Sequence, residues 1–177
     1  MNPDVQATSR TSPAAIVASV LGLGYLPVAP GTWCSVAVAL PAILVPADIA
    51  TLQYVYLALA VVFGLLGLWS VPRVQAGWGS DPSAVVIDEA MGMSLVLVLP
   101  YAYMSVWWWF GGIVLFRLFD IRKPWPLSVI NGRTEAWSVM ADDALAGCFA
   151  ALCLHLGFIA LQVVLVSLVV SNGRPLP

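Results

Sequence analysis

Apolar residues run in long blocks along this chain, and polar positions fall at a few places between them. Leu52 to Trp69 is an unbroken hydrophobic run of about 18 residues, the length that carries a helix across a bilayer core. Ala84 to Leu99 and Met104 to Phe119 read as further spans. Asp142 to Val170 is longer than the core requires, so it is tilted or its first turn stands among headgroups. Trp33 to Val45 is a shorter apolar run that ends near Pro46 and Asp48. Ala14 to Pro30 is apolar too, but Gly22, Gly24, Pro27 and Pro30 interrupt it, which suits a re-entrant or interfacial segment.

Between these blocks, Val71 to Ser83 reads as a loop, with Arg73, Gly77, Gly79 and Pro82 as breakers. Pro100 to Tyr103 is a tight connection, and Asp120 to Ala141 is the longest loop. Trp107, Trp108 and Trp109 suit an interfacial aromatic belt. The pattern predicts an all-α polytopic membrane helix bundle of about five crossings plus the re-entrant or interfacial N-terminal segment. A polar tail (1–13), one membrane-embedded domain (14–170) and a short C-terminal tail (171–177) complete the organisation.

Composition agrees with that pattern: 61% of the 177 residues are hydrophobic and 9% charged, and the mean hydropathy is +0.94. A net charge of -2 offers no basic field, so no nucleic-acid partner is expected. Cys34, Cys148 and Cys153 are odd in number and lie in apolar sequence, and they read as buried thiols. Arg122, Lys123 and Arg133 make the 120–141 loop the most basic connection, which places it in the cytoplasm. Counting spans outward from there brings the Pro30-Gly31-Thr32 turn, Asp88-Glu89, Arg117 with Asp120, and Asp142-Asp143 to one membrane face. Five of the nine acidic residues gather there.

That clustering points to chemistry. Carboxylates within an apolar run are costly to desolvate and are functional candidates by default. Asp88 shares a helical face with Gly92, and Asp143 with Gly147, each looking over a gap without a side chain. One Asp88-Glu89 pair answering Arg117 would hold two helices together, and helix capping would account for one acid of the Asp142-Asp143 pair. Two such pairs without matching bases repel one another, and a divalent cation removes that penalty. All-oxygen donors favour magnesium, with manganese as substitute, over zinc.

Arg117 and Asp120 lie three apart and share a face, while Pro124 and Pro126 stop the helix beyond them. Arginine supplies a planar fork for phosphate oxygens and Lys123 a point charge, though Arg122 and Lys123 also serve as a topology signal. Gly31 and Thr32 open a helix whose N-terminus attracts anions. No Cys-x5-Arg loop or Asp-x-Asp motif is present, and a single histidine cannot serve as both nucleophile and acid. Metal-assisted attack of water on a phosphomonoester is what remains. The rival reading is a small cation or proton carrier using membrane-embedded carboxylates, which needs acids near the midplane rather than at helix ends.

Four blocks can be set side by side: Leu26-Pro27-Val28-Ala29-Pro30-Gly31-Thr32-Trp33, Val86-Ile87-Asp88-Glu89-Ala90-Met91-Gly92-Met93, Phe116-Arg117-Leu118-Phe119-Asp120-Ile121-Arg122-Lys123-Pro124-Trp125-Pro126, and Met140-Ala141-Asp142-Asp143-Ala144-Leu145-Ala146-Gly147. In order and spacing they resemble the signature blocks of the phosphatidylglycerophosphatase A family. The resemblance implies a magnesium-dependent phosphatase of the bacterial inner membrane, its active site facing the cytoplasm, that converts phosphatidylglycerophosphate in the bilayer to phosphatidylglycerol. Matching positions imply Asp88, Glu89, Asp120, Asp142 and Asp143 as the acidic site, the metal held by Asp88, Glu89, Asp142 and Asp143, and Thr32, Arg117 and Lys123 on the phosphate. Cys34 stands where the family usually has glycine, and Glu135-Ala136-Trp137-Ser138 replaces a glycine-rich stretch.

Overall fold

A computed structural model describes residues 9–79, 82–100, 105–125 and 135–171, so Pro126 and Arg133 lie outside the described residues. Among these every regular element is helical: α1 (Pro13–Ala18), a 3-10 turn (Leu23–Tyr25), α2 (Pro30–Ala39), α3 (Pro41–Leu44), α4 (Ile49–Trp78), α5 (Ile87–Leu97), α6 (Val106–Arg122) and α7 (Ala136–Ser171). The centre of the assembly is α5, which packs against α2, α4, α6 and α7.

Of the expected five crossings, two helices are long and apolar enough to span a membrane, α4 and α7. The 30 residues of α4 and 36 of α7 reach about 45 and 54 Å at about 1.5 Å per residue. By contrast the 11 residues of α5 extend about 16 Å, well under the roughly 30 Å of a hydrocarbon core. Its side chains are buried between other helices instead of facing lipid. Along α4 and the far half of α7 the reverse holds, with Tyr54, Leu65, Leu156, Val163 and Leu168 all exposed.

Local chemistry explains the helix ends. Asp48 caps α4, its Oδ1 accepting from Thr51 N at 2.9 Å and its Oδ2 from Thr51 Oγ1 at 2.6 Å. Gly79 closes the same helix at φ +98°, a left-handed conformation that costs glycine little. Ser105 caps α6 and Lys123 ends it, the Lys123 N–H donating to Phe119 O at 2.8 Å before Pro124 prevents continuation.

Three local expectations are corrected. Val71 to Trp78 continues α4 and is not a loop: Val71 and Val74 are fully buried with Ala14, Ala15 and Ala18 of α1, and that packing outweighs the bond lost at Pro72. Arg73 donates to the Trp69 carbonyl and lies over the Trp69 ring at 4.9 Å, which supports the backbone near the proline. The 120–141 loop is shorter than expected, since Asp120 to Arg122 finish α6 and residues 136–141 open α7. The three tryptophans point in different directions. Trp107 is 80% exposed, but Trp109 turns inward to donate to Ala39 O at 2.8 Å, and Trp108 meets Phe158 edge-on at 5.8 Å. Consecutive helical positions differ by about 100° in direction, so one face cannot hold all three. Among the cysteines, Cys34 is buried whereas Cys148 is exposed on the outer surface of α7.

Candidate active site

Four helix ends converge on one small region: the first turn of α2, the first turn of α5, the last turns of α6 and the second turn of α7. Each brings polar groups that its own sequence dictates. Gly31, the second residue of α2, lies against the Glu89 carboxylate, and a Cβ there would also stand 3.0 Å from Arg117 Nη1. Any other residue at position 31 would push the carboxylate away. Sequence reasoning read this glycine as room for an anion; its neighbours are in fact a carboxylate and a guanidinium.

α5 and α7 pack backbone against backbone. A Cβ on Gly92 would lie 2.6 Å from the Asp143 carbonyl oxygen and 2.6 Å from Phe116 Cε2, and one on Gly147 would overlap the Gly92 backbone. The gaps that the sequence offered to an ion beside Asp88 and Asp143 are therefore filled by helix backbone and by Phe116. Their purpose is to let two helices touch, which brings the acids they carry into range of one another.

The result is a carboxylate cluster. Oxygens of Asp88, Glu89 and Asp143 lie within 4.8 Å of one another. Asp88 Oδ1, Glu89 Oε2 and Asp143 Oδ2 are each buried without a hydrogen-bond partner among the described residues. Buried oxygens left this way are rare and need a partner. Beside them, Arg117 Nη1 stands 2.6 Å from Asp120 Oδ2 and 3.6 Å from Glu89 Oε1. Arg117 is thus the cation at the rim of the acid cluster, held from both sides.

The adjacent pair Asp142-Asp143 is divided. α7 begins at Ala136, so neither acid opens the helix, and ordinary N-capping does not explain them. Asp143 joins the cluster, while Asp142, 2% exposed, pairs with Lys123. Of the four acids expected to hold a metal, Asp88, Glu89 and Asp143 therefore bring carboxylate oxygens close together, while Asp142 is turned to Lys123. Burial alone would lower the Lys123 pKa, but contact with Asp142 and the nearby Asp143 and Asp120 carry it above the ordinary lysine value, so it stays cationic. Thr32 lines a groove together with Arg117 and Arg122, and the three clustered carboxylates do not belong to that lining.

Two residues near the site carry roles that residue type alone did not reveal. Cys34 Sγ donates to Val86 O at 3.2 Å and so pins α2 to the turn that presents Asp88 and Glu89. Phe116, fully buried, is the floor beneath Gly92 and fixes how far α6 approaches. The signal for the first was its departure from the resembling pattern; the only signal for the second was its place directly before Arg117.

Buried carboxylates gathered beside an arginine at the ends of helices make this a helical protein with a charged site set into an apolar bundle. Residues 16–158 match the family described as Phosphatidylglycerophosphatase A, and the chain belongs to that family. A Haemophilus influenzae protein named phosphatidylglycerophosphatase A is 29% identical over 151 residues, covering 84% of this chain and 91% of its own length. The Escherichia coli K12 protein of the same name is 30% identical over 146 residues, covering 80% and 81%. A Bacteroides thetaiotaomicron protein named provisionally as a phosphatidylinositol-3-phosphatase is 31% identical over 145 residues, covering 76% and 87%. No solved structure matches the chain with significance. The chain is accordingly a phosphatase, with a role in lipid metabolism.

Proposed function

We propose that this enzyme hydrolyses phosphatidylglycerophosphate to phosphatidylglycerol and phosphate at the cytoplasmic face of a bacterial inner membrane, with magnesium as cofactor. The observation that carries the reading is the trio of buried carboxylate oxygens on Asp88, Glu89 and Asp143, without hydrogen-bond partners among the described residues, next to Arg117. Three hard oxygen donors gathered this closely fit a magnesium ion, and manganese as its substitute. When bound, such an ion supplies charge stabilisation to a phosphoryl group and makes water a better nucleophile.

The chain's own residues do the rest. Arg117 offers its guanidinium fork to phosphate oxygens, and Asp120 sets the direction of that fork. Lys123, aligned by Asp142, adds a second positive charge as the phosphate enters. Thr32 offers a hydroxyl and helix N–H groups from the first turn of α2. Orientation rests on the basic residues Arg122 and Lys123 at the C-terminal end of α6. The remaining helices would complete a membrane-embedded bundle around the two long ones, with α1 too short to cross at six residues.

Phosphate release from purified protein tests the reading, comparing phosphatidylglycerophosphate with phosphatidic acid and with a phosphoinositide, each with and without magnesium. Release from phosphatidylglycerophosphate that needs magnesium, and is lost in Asp143→Asn, is the expected result. Release unaffected by chelation, or full activity in Asp143→Asn, would sink it.

A further inference from the structure

Directly beside Arg117 lies a cavity of about 540 Å³ between α2 and α6, within the size range of small-molecule sites. Thr32 and Val36 form one wall, and Trp109, Ile113, Val114 and Leu118 form much of the other. The α6 residues fall at helical spacing along one face, so the cavity is a trough following the helix axis. From Trp109 to Arg122 it extends about 20 Å at the helical rise.

Its two ends differ. Thr32, Arg117 and Arg122 are the polar residues of the lining, and all stand toward the α6 C-terminus. At the other end the Trp109 indole donates to Ala39 O at 2.8 Å, tying α6 to the end of α2 and closing the trough. Between these ends the lining is hydrocarbon and aromatic, and Val114 and Leu118 are 47% and 46% exposed along its open side. An occupant must therefore have an anionic head, a long apolar body, and access from an apolar surrounding.

We propose that this trough is the subsite for one acyl chain of the phospholipid substrate. The proposal rests on the lipid phosphatase reading and extends it from headgroup to tail. Arg117 belongs to both the acid cluster and the trough, so with the terminal phosphate at the cluster the glycerol and phosphodiester that follow it have Thr32 and Arg122 beside them, and the acyl chain beyond has the apolar lining to enter. Charge complementarity sets the direction, with the anionic head at the arginines and the chain end toward Trp109. The second acyl chain stays in the bilayer. Ion pairing alone would not distinguish a lipid phosphate from a soluble one; the trough does, because burying each methylene adds binding energy that a soluble phosphomonoester cannot supply.

Two half-exposed trough residues allow a test that leaves the core intact. Val114→Trp and Leu118→Trp narrow the trough, and Leu65→Trp, on the outer face of α4 and 65% exposed, is the control. The readout is the ratio of kcat/KM for dioleoyl over dihexanoyl phosphatidylglycerophosphate. Both trough variants are expected to lower that ratio by roughly tenfold, the worth of about two blocked methylenes, with the ratio in Leu65→Trp unchanged. An unchanged ratio in both trough variants overturns the subsite.

A second measurement survives failure of the phosphatase reading. Phosphatidic acid with a diazirine in one acyl chain, in phosphatidylcholine vesicles, is photolysed with wild-type protein. Labelling concentrated on α6 and displaced by unlabelled phosphatidic acid, but not by added phosphatidylcholine, supports the subsite. Labelling spread equally over α4 and α6 and insensitive to the competitor refutes it.

Discussion

Arg117 and Asp120, one turn apart on α6, are joined by a 2.6 Å ion pair that turns the guanidinium toward the carboxylates of α5 and α7. Without Asp120 the nearest remaining acid is Glu89, at 3.6 Å, and the fork rotates into the acid cluster. Asp120→Asn is therefore expected to reduce kcat/KM by roughly ten- to a hundredfold, as loss of one charge-assisted hydrogen bond would, while far-ultraviolet circular dichroism stays unchanged. Arg117→Lys should not restore the loss, because an ammonium lacks the planar fork. Near-wild-type turnover in Asp120→Asn would show that the pair only joins neighbouring turns of α6.

Magnesium should bind to the folded protein before any substrate is present. After chelator treatment, adding magnesium is expected to raise the unfolding temperature, by about 2.7 kcal/mol of stability at a hundredfold excess over the dissociation constant. Asp143→Asn should abolish that response. In the metal-free state the same variant should unfold at the wild-type temperature or above, since it removes one of three crowded like charges. A magnesium response that persists in Asp88→Asn and Asp143→Asn alike would place the ion elsewhere.

The contact between Gly92 and Gly147 makes both positions intolerant of even a methyl group. Gly92→Ala would bring a Cβ within 2.6 Å of the Asp143 carbonyl oxygen, and Phe116 has no room to retreat. A cost of about 1–3 kcal/mol in unfolding free energy is expected, together with loss of activity as α5 and α7 separate. Gly111→Ala is the contrasting case: its Cβ would meet only Leu154 Cδ2, at 3.8 Å, so it should be neutral or stabilising by roughly 0.5–1 kcal/mol. Equal thermal stability of the two variants in detergent would contradict this.

Asp48 gives the fold an acid-sensitive helix cap far from the active site. Hydrogen bonds from the Thr51 side chain and backbone hold its carboxyl below the ordinary value of 3.8. A depressed folded-state pKa contributes stability above the unfolded value and loses it as pH falls through the folded one. Asp48→Ala should thus lower the unfolding temperature at pH 7, and the gap to wild type should close under acid titration past pH 3.8. A gap that persisted unchanged in strong acid would mean that the carboxylate charge has no part in the cap.

Much of the site can be read along the chain because its pieces are local. The Asp88-Glu89 pair in the first turn of a helix, Arg117 and Asp120 sharing one face, and a helix stopped before Pro124 follow from residue type and a period of 3.6. The all-helical fold likewise follows from apolar runs punctuated by glycine and proline. Helix lengths were less legible. Pro72 sits where a break is expected, yet burial of Val71 and Val74 against α1 carries α4 through it, and no local rule weighs a distant contact against a missing hydrogen bond.

What the chain order could not express is which side of each helix meets which neighbour. Asp142 and Asp143 are equivalent as a sequence motif, but successive residues point about 100° apart, so one meets Lys123 and the other the carboxylate cluster. That assignment depends on how α7 is rotated against α5, and the rotation is set by two glycines 55 positions apart, Gly92 and Gly147, pressed backbone to backbone. The trough beside Arg117 is equally nonlocal, since its walls belong to α2 and α6 and its closed end to a tryptophan that reaches across to Ala39. Residue types and periodicity supply the charges and the turns that carry them; close approach between remote backbones determines which charges share one site.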